Sequence, residues 1–215
     1  VTIQAGVLAL QGAFQAHARV LAQLGTDVRE VRRPEHLAGL DALCMPGGES
    51  TTMSLLLDTT GLRGPLSAAL APRGQGGGAL PVLATCAGAI LLAQRLAGDN
   101  GSRKVDTLGL LDATVNRNAF GRQVDSFEAE LAVDWAVLLG TQADGPADAL
   151  THAPAFHGVF IRAPRFEAVG PRAQVAGLLG AEPVLVRQGN ILAATFHPEL
   201  SGDLRIHAAL LALAA

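Results

Sequence analysis

Apolar and polar positions follow two rhythms along the chain. Short runs rich in Val, Ile, Leu and Ala recur at residues 3–10, 28–31, 42–45 and 81–85, and again at 156–162, 182–187 and 191–196. Between several of them the spacing turns helical. Phe14, Ala18, Leu21 and Leu24 fall on one face of a helix over 13–24, and Ser50-Thr51-Thr52 suits the start of a helix carrying Met53, Leu56 and Leu57. A further helix follows the strand at 81–85 and runs to residue 95, and another closes the chain over 202–213. Strands alternating with helices predict an α/β fold: a single three-layer domain over 1–215 with a central, mostly parallel sheet flanked by helices. Residues 108–133 alternate with period two, as antiparallel or edge strands do. Residues 140–154 are turn-rich and read as a surface loop; no internal repeat or linker breaks the chain.

Composition narrows the functional classes. Of 215 residues, 49% are hydrophobic and 16% charged, which describes a folded globule able to bury a core without disulfides or metals. The net charge of −3, with basic residues scattered, argues against nucleic acid or an anionic membrane surface as the partner. No apolar run approaches the ~20 residues that span a bilayer. The opening VTIQAGVLALQG lacks a basic segment and a cleavage site, so no secretory signal is expected. Cys44 and Cys86 are the only cysteines, which predicts a reduced, cytoplasmic setting and excludes a disulfide scaffold.

Three segments could carry chemistry. In LATCAGAILLA a strand ends at Thr85, Cys86 sits at the turn, and Gly88 lets the next helix pack closely on the sheet. Such a strand–nucleophile–helix elbow puts a sulfur at a helix N-terminus, which favours the thiolate, and aims the Ala87 N–H at a forming oxyanion. Cys86 alone is equally compatible with an inert core cysteine. In ATFHPELSG, Pro198 holds His197 extended, so His197 and Glu199 reach the same side. A cysteine nucleophile needs a base, and the base needs a carboxylate to fix its tautomer. A structural histidine beside a capping glutamate is the alternative for that segment. In MPGGESTT, two glycines after a strand allow N–H groups to face a ligand; a plain turn is the alternative. No Gly-Lys pair exists, so no phosphate-binding P-loop can be written. The GQGGG run at 74–78 is followed by a strand instead of a helix, which disfavours dinucleotide binding and suits a loop. Cys44 is assigned to the core and His17 to the surface of the first helix. His36, His152, His157 and His207 show no metal-ligand spacing, and neither a metal nor a cofactor is expected.

Taken together and in this order, the PGG turn, the cysteine elbow and the late His-Pro-Glu resemble the class I glutamine amidotransferase family, with its flavodoxin-like α/β fold. GVLALQGAFQAH, PGGESTTMSLLL, TCAGAILLA, LGLLDATVNRNAFGRQVDSFEA, GVFIRAP and FHPEL are similar to the branch of that family formed by the glutaminase subunits of pyridoxal 5′-phosphate synthases. GRQVDSFEA and GVFIRAP argue for that branch over glutaminases serving other synthases.

The resemblance implies hydrolysis of L-glutamine to glutamate and ammonia through a thioester on Cys86. His197 would act as base and acid, and Glu199 would orient it. It further implies a glutamine site formed by Gly47, Gly48, Glu49, Arg117, Ile161 and Arg162, with the N–H groups of Gly48 and Ala87 as the oxyanion hole. The implied partner is a (β/α)8-barrel synthase subunit in a large hetero-oligomer, and the Gly47-Gly48 pair would complete the oxyanion hole only once that partner docks. The arginines point to a free amino-acid carboxylate in place of a peptide, and an intact Cys86, His197 and Glu199 argue against a silent binding subunit. Two departures stand out: Ala84 occupies a position that usually carries glycine in the family, and the stretches 74–78 and 136–154 are longer than usual.

Overall fold

In this computed structural model the described residues are 2–72, 79–98, 105–117, 126–140 and 155–214. The loop at 74–78, most of the turn-rich stretch up to 154, His152, and 118–125 within the VNRNAFGRQ and GRQVDSFEA blocks lie outside them.

Among the described residues nine strands form one sheet. Its parallel half comprises β1 (Gln4–Leu8), β2 (Asp27–Val31), β3 (Ala42–Met45), β4 (Val82–Thr85) and β12 (Ile191–Ala194), in the order β2-β1-β3-β4-β12. Beyond β12 the sheet continues antiparallel through β11 (Glu182–Gln188), β10 (Gln174–Leu179), β7 (Ser126–Val133) and β8 (Phe156–Ile161). The sheet is therefore mixed, with a parallel half as the sequence predicts and an antiparallel extension. A second, three-stranded sheet joins β5 (Ala93–Ala97), β6 (Leu111–Asn116) and β9 (Arg165–Val169). The helix expected to reach residue 95 stops at Leu92, because the chain turns extended at Ala93 and pairs with β6.

Alternation along the parallel strands divides the core. Leu43 and Met45 of β3, Val82 and Ala84 of β4, and Ile191 and Ala193 of β12 face one layer. That layer holds α2 (Ser50–Thr59), α3 (Arg63–Leu70) and α4 (Ala87–Leu92), with Leu111, Ala113 and Val115 of β6 and Phe166 of β9 packed into the same core. Ala42 and Cys44, Leu83, and Leu192 and Ala194 face the opposite layer. There lie α1 (Phe14–Gln23), α5 (Trp135–Leu139) and α6 (Arg205–Ala212). Burial on both faces explains why these strands read as continuous apolar runs. The carboxyl ends of β1, β3, β4 and β12 all open on one edge, the edge where parallel α/β sheets place their ligands.

Candidate active site

Each candidate segment begins where one of those strands stops. β3 runs into Pro46-Gly47-Gly48, β4 into Cys86, and β12 into Thr195, Phe196 and His197. Cys86 takes φ 48° and ψ −106°, left-handed backbone that a side chain adopts only under constraint. Two hydrogen bonds hold it there: its N–H donates to the Ala194 carbonyl at 2.9 Å, and its carbonyl accepts from Ile90 N–H at 3.2 Å. Gly88 is required by contact, since a Cβ there would strike the Met45 carbonyl. Ala84 is fully buried in the core on the α2–α4 side, so its methyl group fits beneath the elbow.

His197 and Glu199 come from the residues after β12. The Glu199 carboxylate lies in a 3-10 turn at Pro198–Leu200, and its Oε1 accepts from His197 Nδ1 at 2.7 Å. The His197 backbone N–H donates to the Val159 carbonyl at 2.8 Å, stapling the histidine to β8. Burial works against the charged imidazole, but hydrogen bonds to Cys86 and Glu199 and the charges of both outweigh it, raising the His197 pKa to about 10. Burial likewise works against the Glu199 carboxylate, and the neighbouring His17 and His197 outweigh it to hold the group below its ordinary range. Cys86, His197 and Glu199 thus form one connected buried unit.

The PGG loop packs against that unit. A Cβ on Gly47 would collide with His197 Cε1 and come within 3.2 Å of Cys86 Cβ. The Gly47 carbonyl accepts from Ala13 N–H at 3.0 Å, so the Gly48 N–H of the same trans peptide points away from Ala13. Gln11 Oε1 accepts from Glu49 N–H at 2.8 Å and occupies the space a Cβ on Gly48 would need. The Glu49 side chain is a helix cap: it accepts from the N–H groups of Thr51 at 3.0 Å and Thr52 at 2.6 Å. Burial would raise its pKa, but the bonds from Thr52 and Thr51 prevail and lower it.

The remaining candidates lie at element ends. Arg117 follows β6, and its Nη1 donates to Thr51 Oγ1 at 3.3 Å, beside the start of α2. Ile161 ends β8, two residues beyond the carbonyl that receives the His197 N–H, and is 36% exposed. Arg162 follows with φ 45°, the other non-glycine residue with positive φ among those described. Ala87, the first residue of α4, directly follows Cys86.

The expectation for His17 is overturned. His17 is not on the surface; it is fully buried, with Nε2 3.3 Å from Glu199 Oε2 and 3.1 Å from Thr85 Oγ1. Its Nδ1 lies 2.9 Å from Nε2 of His207, which is also fully buried. The residue had a readable signal, because position 17 lies on the same helical stripe as Phe14, Ala18 and Leu21. His17, Cys44 and His207 offer three donor atoms within 4.8 Å of one another. The two imidazoles, however, stand at hydrogen-bond distance, and burial followed by the Glu199 charge drives the Cys44 thiol toward its protonated form. The cluster is built as a hydrogen-bonded core.

Comparison with known proteins identifies the family. Residues 7–212 match the SNO glutamine amidotransferase family. The chain belongs to that family. The pyridoxal 5′-phosphate synthase subunit PdxT of Deinococcus radiodurans is 50% identical over 210 residues, covering 97% of this chain and 96% of the relative. The PdxT of Parafrankia sp. is 48% identical over 202 residues, covering 94% and 88%. A crystal structure of a glutamine amidotransferase superposes with a TM-score of 0.80 at 45% identity, covering 98% of both chains. PurLQS from Thermotoga maritima, at 15% identity and a TM-score of 0.69 over 98% of both chains, shares the fold. Among the described residues no helix is long and apolar enough to cross a membrane.

Proposed function

We propose that this SNO-family glutamine amidotransferase hydrolyses L-glutamine at the edge where β3, β4 and β12 end, and that its ammonia serves pyridoxal 5′-phosphate synthesis. The observation that carries the reading is Cys86, held in left-handed backbone beside His197, which is in turn bonded to Glu199 at 2.7 Å. In this mechanism the Cys86 sulfur attacks the side-chain amide carbon. The resulting oxyanion is met by the N–H groups of Gly48 and Ala87, and the loss of one such donor typically costs ~100- to 1000-fold in turnover. His197 carries the proton to the departing ammonia, leaving a thioester that water, activated by the same imidazole, converts to glutamate. Glu199 holds His197 by Nδ1 so that Nε2 serves the sulfur.

Around the reacting atoms, Gly47 gives the imidazole room, and Glu49 fixes the loop by capping α2. Arg117, Ile161 and Arg162 border the glutamine, a guanidinium being suited to bidentate capture of its α-carboxylate. The relatives are named as subunits of a synthase, which supports a partner that consumes the ammonia. That partner would be a (β/α)8-barrel subunit in a large hetero-oligomer in the cytoplasm, where Cys86 stays reduced. Docking would turn the Gly47-Gly48 peptide, now tied to Ala13, into its catalytic orientation.

The test is glutamate release from L-glutamine by the purified chain, with and without a pyridoxal 5′-phosphate synthase subunit, alongside Cys86→Ala. Turnover that rises with the partner and vanishes in the variant is the expected result. Equal turnover with and without the partner would refute the docking switch, and activity surviving in Cys86→Ala would refute the triad.

A further inference from the structure

Beneath the triad lie two histidines that the mechanism above leaves unused. Glu199 spends Oε1 on His197, while its buried Oε2 makes no hydrogen bond and faces His17 Nε2 at 3.3 Å. The same nitrogen lies 3.1 Å from the hydroxyl of Thr85, the residue before the nucleophile. His17 comes from α1, His207 from α6, Thr85 from β4 and Glu199 from the turn after β12, so four elements converge on this contact.

We propose that His17 is a positioning residue for the reaction: a neutral imidazole that presents Nε2–H to the free oxygen of Glu199, kept in that tautomer by His207. The assignment follows from donor and acceptor inventory. An ionised carboxylate only accepts, so the nitrogen facing it must bear the hydrogen. In a neutral ring Nδ1 is then an acceptor, and His207 must donate to it from Nε2 at 2.9 Å. His207 Nδ1 is left as a lone pair, and it is the ring nitrogen without a partner. Burial keeps both rings neutral, lowering His17 and taking His207 down to about 3. The groups facing His17 are Glu199 and His197 after β12, His207 on α6, Thr85 on β4 and the Cys44 thiol on β3.

This proposal rests on the triad reading, which it deepens. With His17 in place Glu199 has a neighbour at each oxygen, and burial cannot drive it to its neutral form. Without His17 the Glu199 pKa rises, so the acid-side loss of activity begins at higher pH. His17→Leu, assayed with the synthase partner, should lower kcat by about 10- to 100-fold, as loss of an outer orienting group does elsewhere. KM should stay near the native value, and the acid limb of the kcat profile should move up in pH. His17→Gln, which returns an N–H donor near the Nε2 position, should recover most of kcat and the native limb.

A second measurement needs no substitution that could unfold the chain. Histidine nitrogen-15 spectra of the intact protein at pH 7 should show His17 neutral with Nε2 protonated and Nδ1 bare. A His17 imidazolium, or the Nδ1–H tautomer, would overturn the proposal. So would a folded His17→Leu with native kcat and native pH profile. If that result came with an inactive Cys86→Ala, the triad would stand and only the role of His17 would fall; an active Cys86→Ala would remove both.

Discussion

Replacing His207 with glutamine should flatten the acid sensitivity of the fold. In the native chain His207 is fully buried, and burial, reinforced by neighbouring His17, takes its pKa from 6.5 to about 3. In the unfolded chain the same imidazole titrates near 6.5. Between pH 7 and pH 5 the unfolded state therefore takes up a proton that the folded state refuses. The unfolded state binds more protons across this window, so stability falls as pH falls. At about 1.36 kcal/mol per pH unit beyond the unfolded pKa, the loss from this one group is ~2 kcal/mol by pH 5. Glutamine cannot titrate, yet its amide can still donate toward His17 Nδ1. Urea unfolding at pH 7 and pH 5 reads the difference directly. The native protein should lose ~2 kcal/mol more than His207→Gln over that interval, because the carboxylates and other histidines are common to both chains. Equal losses would show that His207 is accessible to protons in the folded state, and the argument from burial would fail.

Three further outcomes are expected. Gly88→Ala drives a Cβ into the Met45 carbonyl and should cost ~1–3 kcal/mol of stability, read by urea unfolding; an unchanged midpoint would mean that α4 does not seat against β3 as described. Gly47→Ala pushes on the His197 ring and should lower kcat by about 100-fold, since a misplacement of about 1 Å is enough for such a loss, with thermal stability moving far less. Glu49→Ala removes the cap of α2 and should destabilise by ~1 kcal/mol; an unaltered unfolding midpoint would dismiss the capping bonds from Thr51 and Thr52.

Particular residues show where the sequence was readable. Cys86, the Pro46-Gly47-Gly48 turn and His197-Pro198-Glu199 stood out because each is a local pattern: a strand followed at once by residues suited to a turn or a nucleophile. Their assembly at one edge follows from parallel strands pointing the same way, which the alternation of elements already implied. β9 and β10 escaped because neither is a continuous buried run: RFEAV buries only Phe166 and QVAGLL only Ala176 and Gly177, and both become strands through antiparallel partners. α4 stops early because pairing of β5 with β6 outweighs the helical propensity of Ala93, Gln94 and Arg95. His17 and His207 stand 190 positions apart, so their contact is a tertiary event. The stripe through Phe14 and Leu21 nevertheless marked position 17 as inward-facing, and a histidine on that stripe required a buried partner.

The central claim is that Cys86 forms a covalent bond to glutamine. Acid quenching of the chain during turnover with a pyridoxal 5′-phosphate synthase subunit, followed by mass analysis of its peptides, tests this directly. The account expects a glutamyl thioester on the peptide containing Cys86 and none on that containing Cys44, whose thiol is sealed in the core. Turnover of glutamine with no adduct on Cys86, or with the adduct on another residue, would contradict it.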